Sequence, residues 1–320
     1  MSFLDFAHFN FPGPGGRRWL RIHPTWLLLT VAGIHGCSSK SSPTPVEDTL
    51  TSGRITVVSA AEARAIMDRE EEAFEKLYPQ SEIRVTTRPS GEAIRALFAA
   101  DCDLAVISRE LETDERAAAS RGGLELEGYR FAKDAVVVIV HPGNPVENLA
   151  LDDLKRIYLG KIRNWSALGG PDRVIEPVFP DPKSDLAEFF VQQVMNGEPV
   201  QTRVAVVDDD SLAVAEVLAR PGGVGFVSLA WAEHGAKTLR ISALTGLPYW
   251  KPDLEAVYQG DYPLTRALSF YVRANGPRVA HGLITYVTSG DGQRIVHDAG
   301  LLPTSVPIRF VRRSPLKGAH

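Results

Sequence analysis

The alternation of strand and helix patterns in the first half of the chain constrains the fold more than any other feature. Residues 55–58 (ITVV) are β-branched, residues 60–77 carry apolar side chains at helical spacing, and residues 83–87 are again strand-like. A short helical pattern over residues 91–99 then leads to an apolar strand over Leu104–Ile107. Because strand–helix–strand units join parallel strands through right-handed crossovers, this order predicts an α/β fold with mostly parallel sheets.

A second α/β unit is predicted beyond the apolar stretch at residues 135–140 (AVVVIV), which is typical of a strand buried on both faces and ends at the turn HPGNP. Helices are predicted over residues 151–158, 185–195 and 211–219, and strands over 174–179 and 225–229. A strand at 267–272 and a helix at 282–287 predict a return to the first unit. The predicted organisation is lobe I over residues 53–140 and 258–306, lobe II over 141–257, and a hinge with a central cleft between them.

The N-terminus has the pattern of an export signal. Arg17, Arg18 and Arg21 precede an apolar run over residues 26–34 that is too short for the ~20 residues of a membrane-spanning helix. Residues 33–37 (GIHGC) resemble a bacterial lipobox, so residues 1–37 are predicted to be a lipoprotein signal peptide with lipidation at Cys37. The alternative is a plain secretory signal in which Cys37 is incidental.

The ends of the mature chain are predicted to be extended and polar. Residues 38–52 are rich in Ser and Pro and predict a tether that holds an anchored domain away from the membrane. Residues 307–320 carry four basic side chains and predict a solvated basic tail. Together these features predict an exported protein on the periplasmic or cell-surface side of the membrane.

Composition narrows the function classes. A chain of 320 residues with 44% hydrophobic and 23% charged residues is ordinary for a globular protein. Without residues 1–37 it has 32 basic and 38 acidic residues, which argues against a nucleic-acid partner. Cys102 is then the only cysteine after Cys37, so it is predicted to be a buried apolar residue, and neither an internal disulfide nor a cysteine-based metal site is predicted. No cofactor and no other metal site is predicted.

Four further segments, taken together and in order, resemble the substrate-binding protein of phosphate ABC transporters, a family with a type II periplasmic-binding-protein-like fold. The resemblance extends over residues 53–303 and implies a monomer that captures phosphate between two lobes for a membrane permease. The segments are residues 160–170 (GKIRNWSALGG), 220–227 (RPGGVGFV), 262–266 (YPLTR) and 289–293 (SGDGQ).

An oxyanion in such a cleft is held by amides at helix N-termini, by hydroxyl groups and by an arginine. Ser59 follows the first strand, although with Glu62 three residues later it could instead form a capping box. Ser90-Gly91 resembles the Ser-Gly turn of the family, and the alternative for Ser90 is a simple N-cap.

The next candidate pair is Ser108-Arg109, which resembles the Ser-Arg pair that follows the third strand in the family. Arg109 is the best candidate for charge pairing because its planar fork can grip two oxygens. The alternative is a surface arginine paired with Glu110 or Glu112.

Residues 179–185 (FPDPKSD) depart from the family, which commonly carries an arginine and then Ser-Gly-Thr at this place. Only Ser184 matches, and Lys183 could replace the missing arginine. Asp185 could cap the following helix, accept a hydrogen bond from a protonated oxyanion, or mark the loss of phosphate binding. The predicted phosphate-binding set is Ser59, Ser90, Gly91, Ser108, Arg109, Lys183, Ser184 and Asp185.

Two other function classes compete with this prediction. An enzyme is disfavoured because the sequence lacks a nucleophile elbow, a zinc-protease motif and a Walker loop, and its histidines are scattered. The other alternative is a degenerate binding-protein domain that acts as a sensor or protein-interaction module without transporting phosphate.

Overall fold

A computed structural model describes residues 47–308 of the chain. The strands are β1 (Gly53–Ser59), β2 (Ser81–Thr87), β3 (Leu104–Ile107), β4 (Leu126–Val140), β5 (Asn148–Ala150), β6 (Glu176–Pro180), β7 (Ala205–Val207), β8 (Gly223–Ser228), β9 (Lys237–Thr238), β10 (Arg240–Ser242), β11 (Thr265–Arg273) and β12 (Leu302–Ile308). The helices are α1 (Ala61–Leu77), α2 (Ser90–Ala99), α3 (Thr113–Arg121), α4 (Leu151–Tyr158), α5 (Asp185–Gln193), α6 (Asp210–Ala219), α7 (Leu254–Gln259), α8 (Arg278–Val287) and α9 (Gly290–Asp298).

The strands form two parallel blocks joined by antiparallel strands, in the order β2-β1-β3-β11-β4-β8-β6-β7. In lobe I, β1 pairs in parallel with β2 and β3, and in lobe II, β6 pairs in parallel with β7 and β8. The strands β11 and β4 run antiparallel to their neighbours because the chain crosses between the lobes there. The predicted α/β class and two-lobed fold are confirmed, with a mixed sheet at the centre.

Strand β4 belongs to both lobes. Its first part pairs with β11 up to Ala135, and its second part pairs with β8 from Val136 onward. The Val136 amide donates to the Leu264 carbonyl at 2.8 Å, just before β11 begins. Lobe I therefore meets lobe II inside the apolar stretch 135–140 and at residues 264–265, whereas the sequence suggested boundaries after residue 140 and before residue 258.

Each lobe has its own apolar core. In lobe I, Phe131 and Phe270 stack at 4.4 Å between ring centroids, while in lobe II the stacked pair is Phe190 and Phe226 at 4.1 Å. Trp165 is fully buried and donates from Nε1 to the Gly222 carbonyl at 3.0 Å. Gly222 is required there because a Cβ would overlap the Val174 carbonyl. Cys102 is free and buried, as predicted.

The described ends of the chain pack against the domain. The Asp48 carboxylate accepts hydrogen bonds from the backbone amides of Arg278 and Val279 at the start of α8, and a Cβ at Gly282 would overlap the Leu50 carbonyl. Residues 47–52 are therefore part of lobe I rather than of a free tether. The predicted signal peptide, Cys37 and the rest of the tether lie outside the described residues. The predicted tail began at residue 307, but Pro307 and Ile308 belong to β12 and pair with β4, and the remainder of the tail lies outside the described residues.

Candidate functional site

The cleft between the lobes is lined by the ends of strands and the beginnings of helices. In lobe I, Ser59 ends β1 and Ser108 follows β3, and these two strands are parallel neighbours. Helix α2 begins beside them at Ser90. Because parallel strands place their carboxyl ends at one edge of a sheet, the topology itself gathers these residues.

The central contact of the cleft joins the lobes. Both carboxylate oxygens of Asp185, the first residue of α5, accept a hydrogen bond from the Ser90 amide at 2.9 Å, and Oδ2 also accepts one from the Ser90 hydroxyl at 2.8 Å. The Ser90 hydroxyl oxygen in turn accepts a hydrogen bond from the Ser108 amide at 3.1 Å. Ser90 is fully buried and Asp185 nearly so. This contact, named here the cleft contact, holds a carboxylate at the N-terminus of α2, where the helix dipole favours a negative charge.

The other predicted residues of lobe I lie around the cleft contact. Ser59 is buried and donates its hydroxyl to the Ala60 carbonyl at 3.0 Å. Its side chain does not cap α1, whose N-cap residue is Ala60, so the capping box with Glu62 does not form. Gly91 lies in the first turn of α2, and a Cβ there would be 3.6 Å from a guanidinium nitrogen of Arg109.

The predicted residues of lobe II surround the start of α5. Ser184 is the N-cap of this helix, and its hydroxyl oxygen accepts a hydrogen bond from the Ala187 amide at 3.1 Å. Asp185 therefore does not cap the helix, and its carboxylate is directed to lobe I. Lys183 is exposed, and its backbone amide donates to the Asp181 carboxylate at 3.0 Å.

Arg109 lies beside the cleft contact with its charge already paired. Two guanidinium nitrogens each donate to Glu115 at 2.8 Å, and Glu112 lies at 3.5 Å. The hydrogen bond with Glu115 raises the pKa of Arg109 above its usual value. Burial is the strongest single influence and acts to raise the pKa of Glu115, but the hydrogen bonds from Arg109 and the Glu112 amide, together with the nearby positive charges, outweigh it and lower the pKa. Nε of Arg109 is buried and has no hydrogen-bond partner among the described residues.

Sequence reasoning missed a second group of charges, at the hinge. Arg266 on β11 lies opposite Asp134 on β4 and donates from Nε and Nη2 to its Oδ2 at 2.9 and 2.8 Å. Glu62, in the first turn of α1, lies 3.3 Å from Arg266, and Asp210 at the start of α6 accepts a hydrogen bond from the Ser228 amide. These four residues, named here the hinge cluster, consist of one cation and three acids.

The charges of the hinge cluster and of the cleft contact influence each other. Burial raises the pKa of Glu62, Arg266 opposes this effect, and Asp185 raises the pKa further. Burial also raises the pKa of Asp210, to about 7. Oε2 of Glu62 is buried without a hydrogen-bond partner among the described residues.

Two further features of residues 47–308 bear on function. No group of three or more His, Cys, Asp or Glu side chains in this range is arranged to hold a metal ion. None of the helices in the same range is long and apolar enough to cross a lipid bilayer. A cavity of about 930 Å³ lies elsewhere, lined by residues that include His234, Arg240 and Gly300.

Comparisons with known proteins agree with this architecture. The family model described as PBP superfamily domain matches residues 40–291. The chain is 25% identical over 286 residues to the phosphate-binding protein PstS of Bacillus subtilis, which covers 87% of this chain and 90% of that protein. An ABC-type phosphate transport receptor of Vibrio cholerae has a similar structure, with a TM-score of 0.67, 22% identity and coverage of 79% of this chain and all of that one. A PstS structure from Borrelia burgdorferi gives a TM-score of 0.59 at 22% identity, covering 78% of this chain and 98% of that one.

Proposed function

This chain belongs to the PBP superfamily, and from that premise we propose that it is an extracytoplasmic solute-binding protein that captures phosphate between two lobes for an ABC importer. It acts as a binding protein and not as an enzyme. The cleft contact carries the proposal, because two donors from Ser90 already hold an anionic group there, with Ser108 supporting the serine hydroxyl. The similarity to proteins named as phosphate-binding supports the choice of phosphate among the oxyanions.

In this proposal phosphate binds where the Asp185 carboxylate lies. The amide and hydroxyl of Ser90 and the Gly91 amide supply neutral donors, the Ser108 amide orients the Ser90 hydroxyl, and the α2 N-terminus supplies positive potential. Arg109 supplies the full positive charge when its guanidinium group binds phosphate as well as Glu115. Ser59 and Ser184 border the site, and exposed Lys183 contributes a screened positive charge from the surface.

The acids of the cleft set the preferred protonation state of the ligand. A carboxylate beside a fully ionised anion is repulsive, whereas a carboxylate that accepts a proton-bearing oxygen is attractive. The unpartnered Oε2 of Glu62 is such an acceptor. The site therefore favours hydrogen phosphate over sulfate, which carries no proton at neutral pH.

Anchoring and partners complete the proposal. The signal pattern of residues 1–37 supports export with lipidation at Cys37, and the domain then works as a monomer beside a membrane permease. Globomycin, which blocks lipoprotein signal processing, tests the anchor: the uncleaved precursor should accumulate in treated cells. A Cys37→Ser variant that is still processed and retained at the membrane would contradict the lipid anchor.

Calorimetry tests the ligand on residues 38–320, which keep both apolar cores. Phosphate at millimolar concentration should release heat and raise the melting temperature, because a ligand that binds only the folded state stabilises it. Sulfate under the same conditions should have a much smaller effect. Absence of both heat and thermal shift with phosphate would contradict the proposed function.

A further inference from the structure

The residue that closes the cleft is itself an anion. Asp185 belongs to lobe II, 95 positions along the chain from Ser90, and its carboxylate takes the amide and hydroxyl that open helix α2 of lobe I. The contact is dry, since Asp185 is 7% exposed and Ser90 is not exposed at all. A carboxylate in this position has the charge and the acceptor geometry of a bound oxyanion.

A free oxyanion and this carboxylate cannot use the same donors at once. The Ser90 hydroxyl has one proton, which points to Oδ2 of Asp185 at 2.8 Å, and the amide proton is shared between the two carboxylate oxygens. Two negative groups within about 4 Å of each other also repel. A tethered group additionally has an effective concentration of the order of millimolar or more, so a diffusible ligand must outcompete it.

We propose that Asp185 is a tethered competitor for the oxyanion site, which holds the lobes closed without ligand and sets the affinity for phosphate. Phosphate binding displaces the carboxylate from Ser90. The displaced carboxylate stays near the ligand, where it repels a fully ionised anion. The statement about phosphate rests on the proposed function, whereas the statement about lobe closure does not.

The structure allows Asp185 to be changed without removing the N-cap of helix α5 or the hydrogen bonds within the hinge cluster. Ser184, not Asp185, caps α5, so the helix keeps its N-terminal hydrogen bond to the Ala187 amide. The hinge cluster also remains, because the Ser228 hydroxyl donates to Asp134 and the Ser228 amide to Asp210 without any help from Asp185. Loss of the cleft contact should therefore open the lobes about an intact hinge.

The test compares Asp185→Ala and Asp185→Asn with the unchanged protein, using residues 38–320. Small-angle scattering without ligand should show a larger radius of gyration for Asp185→Ala, and calorimetry should show at least tenfold tighter phosphate binding. Asp185→Asn keeps the shape and loses the charge, so its affinity should lie between the two. Glu198→Ala is the matched control, because it removes a carboxylate of lobe II whose ion pair is with Lys155.

The two readouts separate this inference from the proposed function. An unchanged radius of gyration in Asp185→Ala overturns the lobe-closing role. Weaker phosphate binding in Asp185→Ala overturns the competitor role and makes Asp185 a ligand of the anion. If Asp185→Ala is more open but neither the unchanged protein nor any variant binds phosphate, the result supports lobe closure by Asp185 and contradicts the proposed function.

Discussion

The hinge cluster and the cleft contact both bury carboxylates between elements that are distant in sequence, yet they differ in how the charge is balanced. At the hinge, Asp134 is matched by the full positive charge of Arg266, and both side chains are almost completely buried. In the cleft, Asp185 is matched by the neutral donors of Ser90 and by a helix terminus. An ion pair between two side chains of the protein does not depend on a ligand. Neutral donors, in contrast, can release one anion and bind another.

The largest effect is expected from breaking the hinge pair with Arg266→Met. This change leaves the buried Asp134 and Glu62 and the half-buried Asp210 without their cation, so the free energy of unfolding should fall by about 3–5 kcal/mol. Urea denaturation measures the change. Arg294→Met is the control, since Arg294 pairs with Asp291 on the surface and its loss should change stability by less than about 1 kcal/mol. Equal effects of the two substitutions would contradict the role assigned to the hinge.

The next effect concerns the charge that supports the cleft. Arg109→Ala should weaken phosphate binding more than tenfold, about 1.4 kcal/mol, because it removes the cation and leaves Glu115 unpaired beside the anion. Glu115→Gln should act in the opposite direction by freeing the guanidinium. Titration calorimetry on both variants decides the point, and an unchanged dissociation constant in Arg109→Ala removes this residue from the site.

A smaller effect is expected from the pH dependence of the hinge cluster. Asp210 has a pKa of about 7 in the folded protein and a lower one when unfolded, so the folded state holds more protons between pH 4 and 7. The free energy of unfolding should therefore fall as the pH rises through this range and then level off. Asp210→Asn should make the free energy of unfolding less dependent on pH and should raise it by about 1 kcal/mol at pH 8. Glu72→Gln, at an exposed carboxyl of α1, should leave the slope as it is.

The smallest effect is expected from Lys183→Ala. An exposed lysine contributes through a screened field, so phosphate affinity should drop by less than about fivefold, or 1 kcal/mol, at low salt. The difference should vanish in 0.5 M sodium chloride. A loss of phosphate affinity that persists at high salt would mean that Lys183 contacts the anion directly.

Local patterns identified much of the fold. The helix at 151–158 and the strand at 104–107 were predicted with the bounds that the structure has, because apolar spacing and β-branching report directly on local burial. Short strands such as β5 and β9 were not predicted, because two or three residues are too few to show an alternation of apolar and polar side chains. Strand β4 was predicted only in its apolar second half, because its first half contains the charged residues Arg130, Lys133 and Asp134.

The candidate site was only partly readable. Ser90 and Ser108 were predicted because they resemble the Ser-Gly turn and the Ser-Arg pair of the family, and the structure brings them together with Asp185. Arg266 was treated as part of a structural motif, since nothing in a linear sequence shows that it lies opposite Asp134, 132 positions away. The pairing of Arg109 with Glu115 was likewise hidden, because the turn between them, not their spacing, brings them into contact.

The sequence alone determined the α/β class and the two-lobed organisation, because these follow from local periodicity, strand ends and helix starts, while the oxyanion donors were predicted from the resemblance to a family. Only the tertiary structure decided which charge meets which. In the structure Arg266 pairs with Asp134 at the hinge, and Arg109 pairs with Glu115. Asp185 accepts hydrogen bonds from Ser90 of the opposite lobe. The physical reason is that burial and electrostatic pairing depend on distances in space, and residues from different lobes acquire those distances only when the chain crosses the hinge twice.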